Sequence, residues 1–599
     1  MKQKIYKLCS VLLTLALVLS TCICAIGTVS AANVATYYVS PNGDDTADGL
    51  TADTPVASVD KAVNLANAAG YGAGDTVYVK AIHVPDQAIV WTADASNKIT
   101  AHAFTLDLSS NGDVAQLGAV DTAMTFNGPT NLSNIKMLWG RSSSDKGYPA
   151  VDFAGNDVVI GNGISTHNVE FNLYYAKTGT YDKDVNLTFT GPYNRTVIVG
   201  GDYSKPAFNK NVNVTVAGEG AYKLTFGSSN GNNDAWHHAT KYYGAVNINL
   251  KSAASAALTF INNDVTNEDT TKRKYRVQYG ENSAVQIINS IGADATAWNT
   301  ALSTNEANAK PAKYYIVNNK SGLPKAVQFT DTVGKFKVNL SKAWNIVVKD
   351  SEGAVVENAI NEGVLDLSAL ASGVYNIEAT KTATEELTLY VSPNGNDEND
   401  GKTVDTPVAT IGGAIVAAQD NGMTTGDTVY AKLIKAGDVK QEIGVLGSHG
   451  FKLKISSNAD KATINMGQAV NLGGDVDFEN VTLAWVAQKW YDFAFGSHNV
   501  SIGAGVDYSA AAFNNLVLAN ASDAQNENIN LYFESLPNTF RLGSMYKSPT
   551  FKNINITLNG AGINKNFTFG AQENGHTTTY DGVINFNIKK TGTFGLANL

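Results

Sequence analysis

Short stretches in which every second residue is apolar recur along most of this 599-residue chain. Val185 to Phe189, Val212 to Val216, Val246 to Leu250, Ile554 to Leu558 and Val583 to Ile588 each alternate an apolar residue with Asn, Thr or Lys. Period two is the signature of a strand with one buried face. Asn127-Gly128, Asn162-Gly163 and Asn559-Gly560 punctuate these runs as turns. The strands recur in units of roughly one to three dozen residues, the spacing of stacked repeats. No helical periods alternate with them, which disfavours a doubly wound sheet. Short strands with Asn-rich corners fit a coil whose rungs bury one continuous core.

Helical spacing appears in two matching places. Val59, Ala62, Val63, Ala66 and Ala69 form one apolar stripe, and Ile411, Ala414, Ile415 and Ala418 form the other. Asp53-Thr54-Pro55 and Asp405-Thr406-Pro407 precede them and suit a helix start. The spacing predicts helices over Val59 to Ala69 and Ile411 to Ala418. Both belong to a duplication, because Thr36 to Val79 returns almost in step as Thr388 to Ala431. TYYVSPNGDDTADGLTADTPVASVDKAV is answered by TLYVSPNGNDENDGKTVDTPVATIGGAI, and both copies then reach GDTVY. The match continues into the rungs. Phe104 to Asn111 matches Phe451 to Asn458, Trp139 matches Trp485, and the Phe226-Gly227…His238…Tyr242 series matches Phe569-Gly570…His576…Tyr580. Copy two ends at Leu599, opposite about Ile261 of copy one.

The opening YYVSPNGDDTADG…TPVASVDKAV…GDTVYVK resembles that of the pectate-lyase-like right-handed parallel β-helix superfamily. The resemblance covers both SPNG units and, more weakly, the rungs behind them. It implies an all-β protein with two right-handed parallel β-helices, each closed by an N-terminal strand and helix. It carries no catalytic residue. Lyases of that group abstract a proton with Arg or Lys beside an acid-bound Ca²⁺, and its hydrolases use clustered Asp. Neither pattern is found here; Ser448-His449-Gly450 only approaches a Gly-His-Gly motif.

Between the copies the texture changes. Tyr314 to Val317, Lys335 to Asn339, Trp344 to Lys349 and Val374 to Ala379 read as longer strands, with a hairpin turn at Ser351-Glu352-Gly353. Ser372-Gly373-Val374-Tyr375 resembles the last strand of a small immunoglobulin-like module. The expected organisation is a signal peptide over 1–31, copy one over 33–306, a β-sandwich spacer over 307–386 and copy two over 387–599.

The first residues supply the signal. Lys2, Lys4 and Lys7 precede the apolar run Leu8 to Ile26, and Val29-Ser30-Ala31 is a small-residue cleavage site. The alternative, a lipoprotein signal at Leu19-Ser20-Thr21-Cys22, has Thr21 as a poor residue before the modified cysteine. The expected location is therefore secreted, extracellular or cell-surface. Cys9, Cys22 and Cys24 are the whole cysteine complement and lie inside this segment. The mature chain thus has no disulfide, Cys-ligated metal or thiol nucleophile. Lys+Arg 44 against Asp+Glu 54 gives a net charge of −10, and loss of the three leading lysines makes it more acidic. Such a field attracts neither nucleic acid nor anionic lipid. No later run reaches the ~20 apolar residues of a membrane span.

Candidate chemistry is sparse. The acidic turns suggest Ca²⁺ through Asp44, Asp48, Asp397 and Asp400, but Pro55 and Pro407 stand where an EF-hand has its bidentate Glu. The competing reading is an Asx turn leading into the helix. Among the histidines, His102 pairs with His449 and His238 with His576, without a zinc motif; surface or corner imidazoles are the plainer reading. The polar run Gly227 to His238 followed by Tyr242 and Tyr243 is a candidate loop for a ligand, or a corner insertion. In it Trp236, Tyr242 and Tyr243 would stack on sugar rings, and Asp234, His238 and Lys241 are the candidate catalytic groups. In copy two Gln572 and Thr579 replace Asp234 and Lys241. Trp485, Trp490 and Tyr491 form a second aromatic group, either a sugar platform or a stack between rungs. Lys272 to Arg276 is the one dense basic run, a candidate for a uronate carboxylate or a solvated edge.

These features favour a non-catalytic protein that binds an extracellular polysaccharide or cell-surface glycan, with no cofactor beyond an optional Ca²⁺. A polysaccharide lyase or glycoside hydrolase acting from copy one is the alternative, and a structural stalk of a surface array is a third. One fold hosts all three, so the site must decide.

Overall fold

The computed structural model describes residues 33–92, 98–120, 124–140, 150–166, 172–174, 179–193, 196–201, 205–228, 239–252, 255–260, 276–304, 310–436, 441–443, 445–466, 470–485, 493–508, 516–518, 524–525, 528–534, 540–544, 548–560, 565–571, 575–590 and 594–598. They are mostly β, with long parallel sheets and three helices. The chain divides into two compact units, one holding 1–287 and 293–314, the other 288–292 and 315–599.

In the first unit, Val34–Val39 pairs in parallel with Thr76–Ala81, which pairs in parallel with Thr105–Ser110. The same row continues through Thr130–Ser133, Val158–Ile160, Val185–Phe189 and Val212–Val216 to Ala245–Leu250. Between successive members the chain visits other sheets in a repeating order. After Thr105–Ser110 come Ala115–Val120 and Met124–Thr125, each in a sheet of its own, before Thr130–Ser133 rejoins the row. From Val185 onward the circuit runs through Thr196–Val199 and Ala207–Phe208 instead. Register falls on like residues, with Val185, Leu187 and Phe189 opposite Val212, Val214 and Val216. All six are buried, while Asn186 and Thr188 between them are not. Alternation therefore sets which face packs, and parallel register stacks the apolar faces into one core.

Helix α1, Val59–Ala68, begins one residue after Ser58, whose hydroxyl accepts from the Lys61 amide. Val59, Ala62, Val63 and Ala66 are buried. The SPNG turn reaches this helix because Gly43 lies against the chain at Val56; a Cβ on Gly43 would sit 2.2 Å from the Val56 carbonyl oxygen. Helix α2, Thr296–Thr304, is not legible in the β-type pattern of the surrounding sequence. The carboxylate of Asp294 accepts from the Thr296 amide, and Trp298 and Leu302, one turn apart, are buried.

The second unit repeats the plan. Glu386–Val391, Thr428–Leu433, Lys452–Ser457 and Val476–Glu479 begin a parallel row that ends at Ile584–Ile588. Helix α3, Ile411–Asp420, is capped by Thr410, and Gly395 repeats the close approach of Gly43, here to Pro407 and Val408. The stretch before it is different. Val327–Phe329, Lys335–Val338, Val364–Asp366 and Ile360–Asn361 form an antiparallel sheet. Trp344–Lys349 pairs in antiparallel fashion with Gly373–Lys381. The turn at Ser351-Glu352-Gly353 forms, but the strand before it takes its main partner from Gly373–Lys381; beyond the turn only the Lys349–Val355 bridge forms. Tyr315, Phe336, Leu365 and Ile377 fill a separate core. Among the described residues no helix is long and apolar enough to cross a membrane.

Candidate binding cleft and the duplicated sheet face

The expected aromatic loop does not supply a platform at Tyr242. That residue occupies a buried position on the strand Thr240–Tyr242, with Lys241 and Tyr243 on either side. Its ring stacks between Phe208 and Tyr279 at 5.6 and 5.7 Å. The phenol donates to the Val199 carbonyl and accepts from the Gly227 amide at 3.1 Å. Burial pushes its pKa well above the usual phenol value. Tyr580 repeats the arrangement, donating to Leu542 and accepting from Gly570. The repeated tyrosine thus pins a chain corner, and a ring stacked on both faces cannot also stack on a sugar. Tyr243 is 41% exposed and Lys241 is partly exposed on the face away from the core. Asp234, Trp236, His238, Trp490 and Tyr491 lie outside the described residues, as do Lys272 to Tyr275. Trp485 ends the strand Thr482–Trp485, opposite Met466; its side chain lies outside the described residues.

The acidic turns are used locally. Asp44 accepts from the Thr46 amide, and Asp48 from the Leu50 amide and the Thr54 hydroxyl. Those bonds hold both carboxyls below the usual range. Asp400 repeats Asp48 with Lys402 and Thr406. Asp397 instead binds the amide and hydroxyl of Thr410, the residue that caps α3. The suggested calcium ligands are thereby Asx-turn and cap acceptors. Among the described residues no group of three or more His, Asp or Glu side chains gathers to hold a metal.

His102 and His449 are not surface residues. Each is 8% exposed and lies against a phenylalanine, Phe104 at 4.7 Å and Phe451 at 4.8 Å. Gly128 and Gly474 leave room for the rings, since a Cβ on either would collide with the imidazole. Burial lowers the pKa of His102, and the Phe104 carbonyl beside Nδ1 only partly restores it.

Two surface features carry more chemistry than these candidates. The first is a cleft of about 530 Å³ in the second unit, between the antiparallel sheet and the cap of copy two. Gln328 and Lys337 project from adjacent strands on one side, while Glu398, Lys402 and Asn421 come from the acidic turn and the end of α3. Lys325 and Asp420 form an ion pair across it. The side chains of Gln328, Lys337 and Glu398 make no hydrogen bond or ion pair among the described residues, so donors and acceptors remain for a ligand. The volume lies in the range of small-molecule sites, and a junction between modules is a usual place for one. Mixed donors and acceptors suit a polyhydroxylated ligand, and Leu340 and Ala417 add limited apolar area. Sequence spacing could not reveal this cleft, because its two walls lie some 60 to 90 residues apart.

The second feature is the outward face of the first parallel row in each copy. Lys80 Nζ lies 5.4 Å from the Tyr78 ring centre and donates to Ser109 Oγ at 2.6 Å. Lys432, Tyr430 and Ser456 repeat this at 5.9 and 2.8 Å. The signal was present in the duplicated GDTVY strand, where alternation exposes Tyr and Lys. No protein-family model, curated protein or solved structure matches the chain.

Proposed function

We propose that this is an exported protein of two pectate-lyase-like right-handed parallel β-helices, joined by an immunoglobulin-like module, that binds extracellular or cell-surface glycan without turning it over. The cycling order of strands through parallel sheets supports the coil, and the alternation of buried and outward residues supports its packing. The leading apolar segment supports export. Binding is carried by the cleft lined by Gln328, Lys337, Glu398 and Lys402, which offers hydroxyl-matching groups on two walls. The test is a glycan array on the chain lacking residues 1–31, followed by titration of the best saccharide into the Gln328→Ala/Lys337→Ala variant. At least tenfold weaker binding is expected, from the loss of two hydrogen-bonding groups of about 1 kcal/mol each. Unchanged affinity would remove the cleft from the reading. Release of unsaturated or reducing-end products, lost in Lys241→Ala, would replace the binder with a lyase or hydrolase.

A further inference from the structure

The strand Thr76–Ala81 reads TVYVKA, and its counterpart Thr428–Leu433 reads TVYAKL. Both have the same alternation of partly exposed and buried residues. Of the three buried pairs only Val77 and Val429 agree; Val79 faces Ala431 and Ala81 faces Leu433 in the comparison. All three outward pairs are identical: Thr76 with Thr428, Tyr78 with Tyr430, and Lys80 with Lys432. The flanking strands extend the identity at Thr36 and Thr388, Tyr38 and Tyr390, and Ser109 and Ser456, whereas Val34, Thr105 and Asp107 are replaced by Glu386, Lys452 and Lys454. Tyr38 lies opposite Lys80 in register, as Tyr390 lies opposite Lys432. On the other side Ser109 and Ser456 occupy the same place.

On the strand Thr76–Ala81 and its counterpart this order is the reverse of what packing alone produces. Outward substitutions usually change stability by less than about 0.5 kcal/mol and drift, whereas core changes are felt. Folding accounts for other repeated residues of the cap. Gly43 and Gly395 permit a close approach, and Asp75 and Asp427 bind backbone amides. The tyrosine and lysine have no such backbone duty. Among the described residues, neither Lys80 nor Lys432 has a carboxylate partner. Each ammonium is held over a tyrosine ring by a serine, with donors to spare.

The geometry points to two equivalent binding sites, one on the outward sheet face of each copy, for an acidic saccharide. The lysine receives the carboxylate or sulfate, and the tyrosine rings meet the C–H face of the sugar. The inference rests on the reading of the chain as a glycan binder but moves binding beyond the cleft. The copies differ in the charges around the shared residues. Lys454 lies 5.2 Å from the Tyr430 ring centre, whereas Asp107 stands at that register in copy one, opposite Tyr78. Copy two gains that ammonium, but there Glu386 accepts from the Tyr430 hydroxyl at 3.1 Å, where copy one has Val34 at the same register, so a carboxylate offsets the added cation and the two sites are of similar strength.

The test titrates an oligogalacturonate and a neutral xylo-oligosaccharide into the chain lacking residues 1–31, by calorimetry, at low salt and at about 0.5 M salt. Expected are two oligogalacturonate sites per chain, both weakened by salt. Tyr78→Ala/Lys80→Ala and Tyr430→Ala/Lys432→Ala should each remove one site, with the fourfold variant at least tenfold weaker. Lys80→Gln and Lys432→Gln, which keep the stem and the serine contact, guard against misfolding and should lose the acidic ligand alone. Gln328→Ala/Lys337→Ala should leave the two sites in place. Unchanged stoichiometry in the folded fourfold variant overturns the inference. So does complete loss in the cleft variant, which leaves the glycan reading standing. If wild-type chain binds the neutral oligosaccharide alone, the acidic sites fall and the glycan reading survives; if it binds neither, both fall.

Discussion

Lys381, the last residue of the strand Gly373–Lys381, donates to the carboxylate of Asp427, which opens the GDTVY strand of copy two. Asp427 is 1% exposed and also accepts from the amides of Thr424 and Glu385. Lys381 reaches the Gly422 carbonyl as well and lies 5.6 Å from the Trp344 ring centre. One ammonium thus ties the antiparallel module to the cap of copy two. Asp75, the matching residue in copy one, binds only the Asn33 and Gly72 amides among the described residues.

Removing Lys381 leaves a buried carboxylate without its cation. Lys381→Ala should destabilise the second unit by about 3 kcal/mol, the usual scale for breaking a buried pair. Urea unfolding followed by Trp fluorescence measures this. Asp427→Asn in addition should cost less than the sum of the two single changes, because the residues share one interaction. Additive losses would show that the pair is not coupled.

Acid should weaken the fold in two stages. His102 has a lowered pKa, so the unfolded chain takes up its proton first as pH falls below about 6.5. That contribution is complete above about pH 6.5 and is lost as pH falls through the folded value. Asp427 follows: burial raises its pKa, yet the bonds from Lys381 and two amides outweigh this and leave it lowered. Asp48, Asp75 and Asp400 are also held low by hydrogen bonds. Their contributions are full above about pH 4 and disappear below it. Urea midpoints from pH 8 to pH 3 should show both stages, and His102→Gln should abolish the first.

Tyr242 should behave as a core residue. Tyr242→Ala opens a space between Phe208 and Tyr279 and should cost about 3–5 kcal/mol. Tyr242→Phe keeps the stack but leaves the Val199 carbonyl and Gly227 amide without the phenol, at about 1–3 kcal/mol. Saccharide affinity of the folded Tyr242→Phe chain should be unchanged. A specific affinity loss there would return this residue to the site.

The caps should be needed for solubility. Val59, Ala62, Val63 and Ala66 are buried by α1, and Val34–Val39 covers one edge of the strand Thr76–Ala81. Deleting residues 33–80 would expose the edge of Thr105–Ser110 and the apolar side of that strand, which invites association. Light scattering should show aggregates; a soluble, cooperatively folding deletion would count against the role.

Asparagine ladders should contribute in small increments. Asn585 donates to Asn555, Asn555 to Asn530 and Asn530 to Asn499 along the outward face of copy two. Asn530→Ala removes bonds to both neighbours and should cost about 1–2 kcal/mol. The midpoint shift in urea measures it.

Local pattern was enough for many of the elements, though not for α2. Period-two alternation located strands such as Val212–Val216, and the stripe Val59, Ala62, Val63, Ala66 located α1, because burial of one face depends on neighbours only a few residues away. The duplication likewise carried the caps, since their turns close through short-range bonds such as Asp48 to Thr54. Partners distant in sequence were decided only by tertiary structure. Pattern alone makes Tyr242 a candidate surface aromatic; its place between Phe208 and Tyr279 makes it a core residue, and those contacts come from strands about three dozen residues away on either side. The cleft needed two modules brought together, and the ion pair of Lys381 with Asp427 needed the same junction. Alternation says that a residue is inward or outward; only packing says what it meets there.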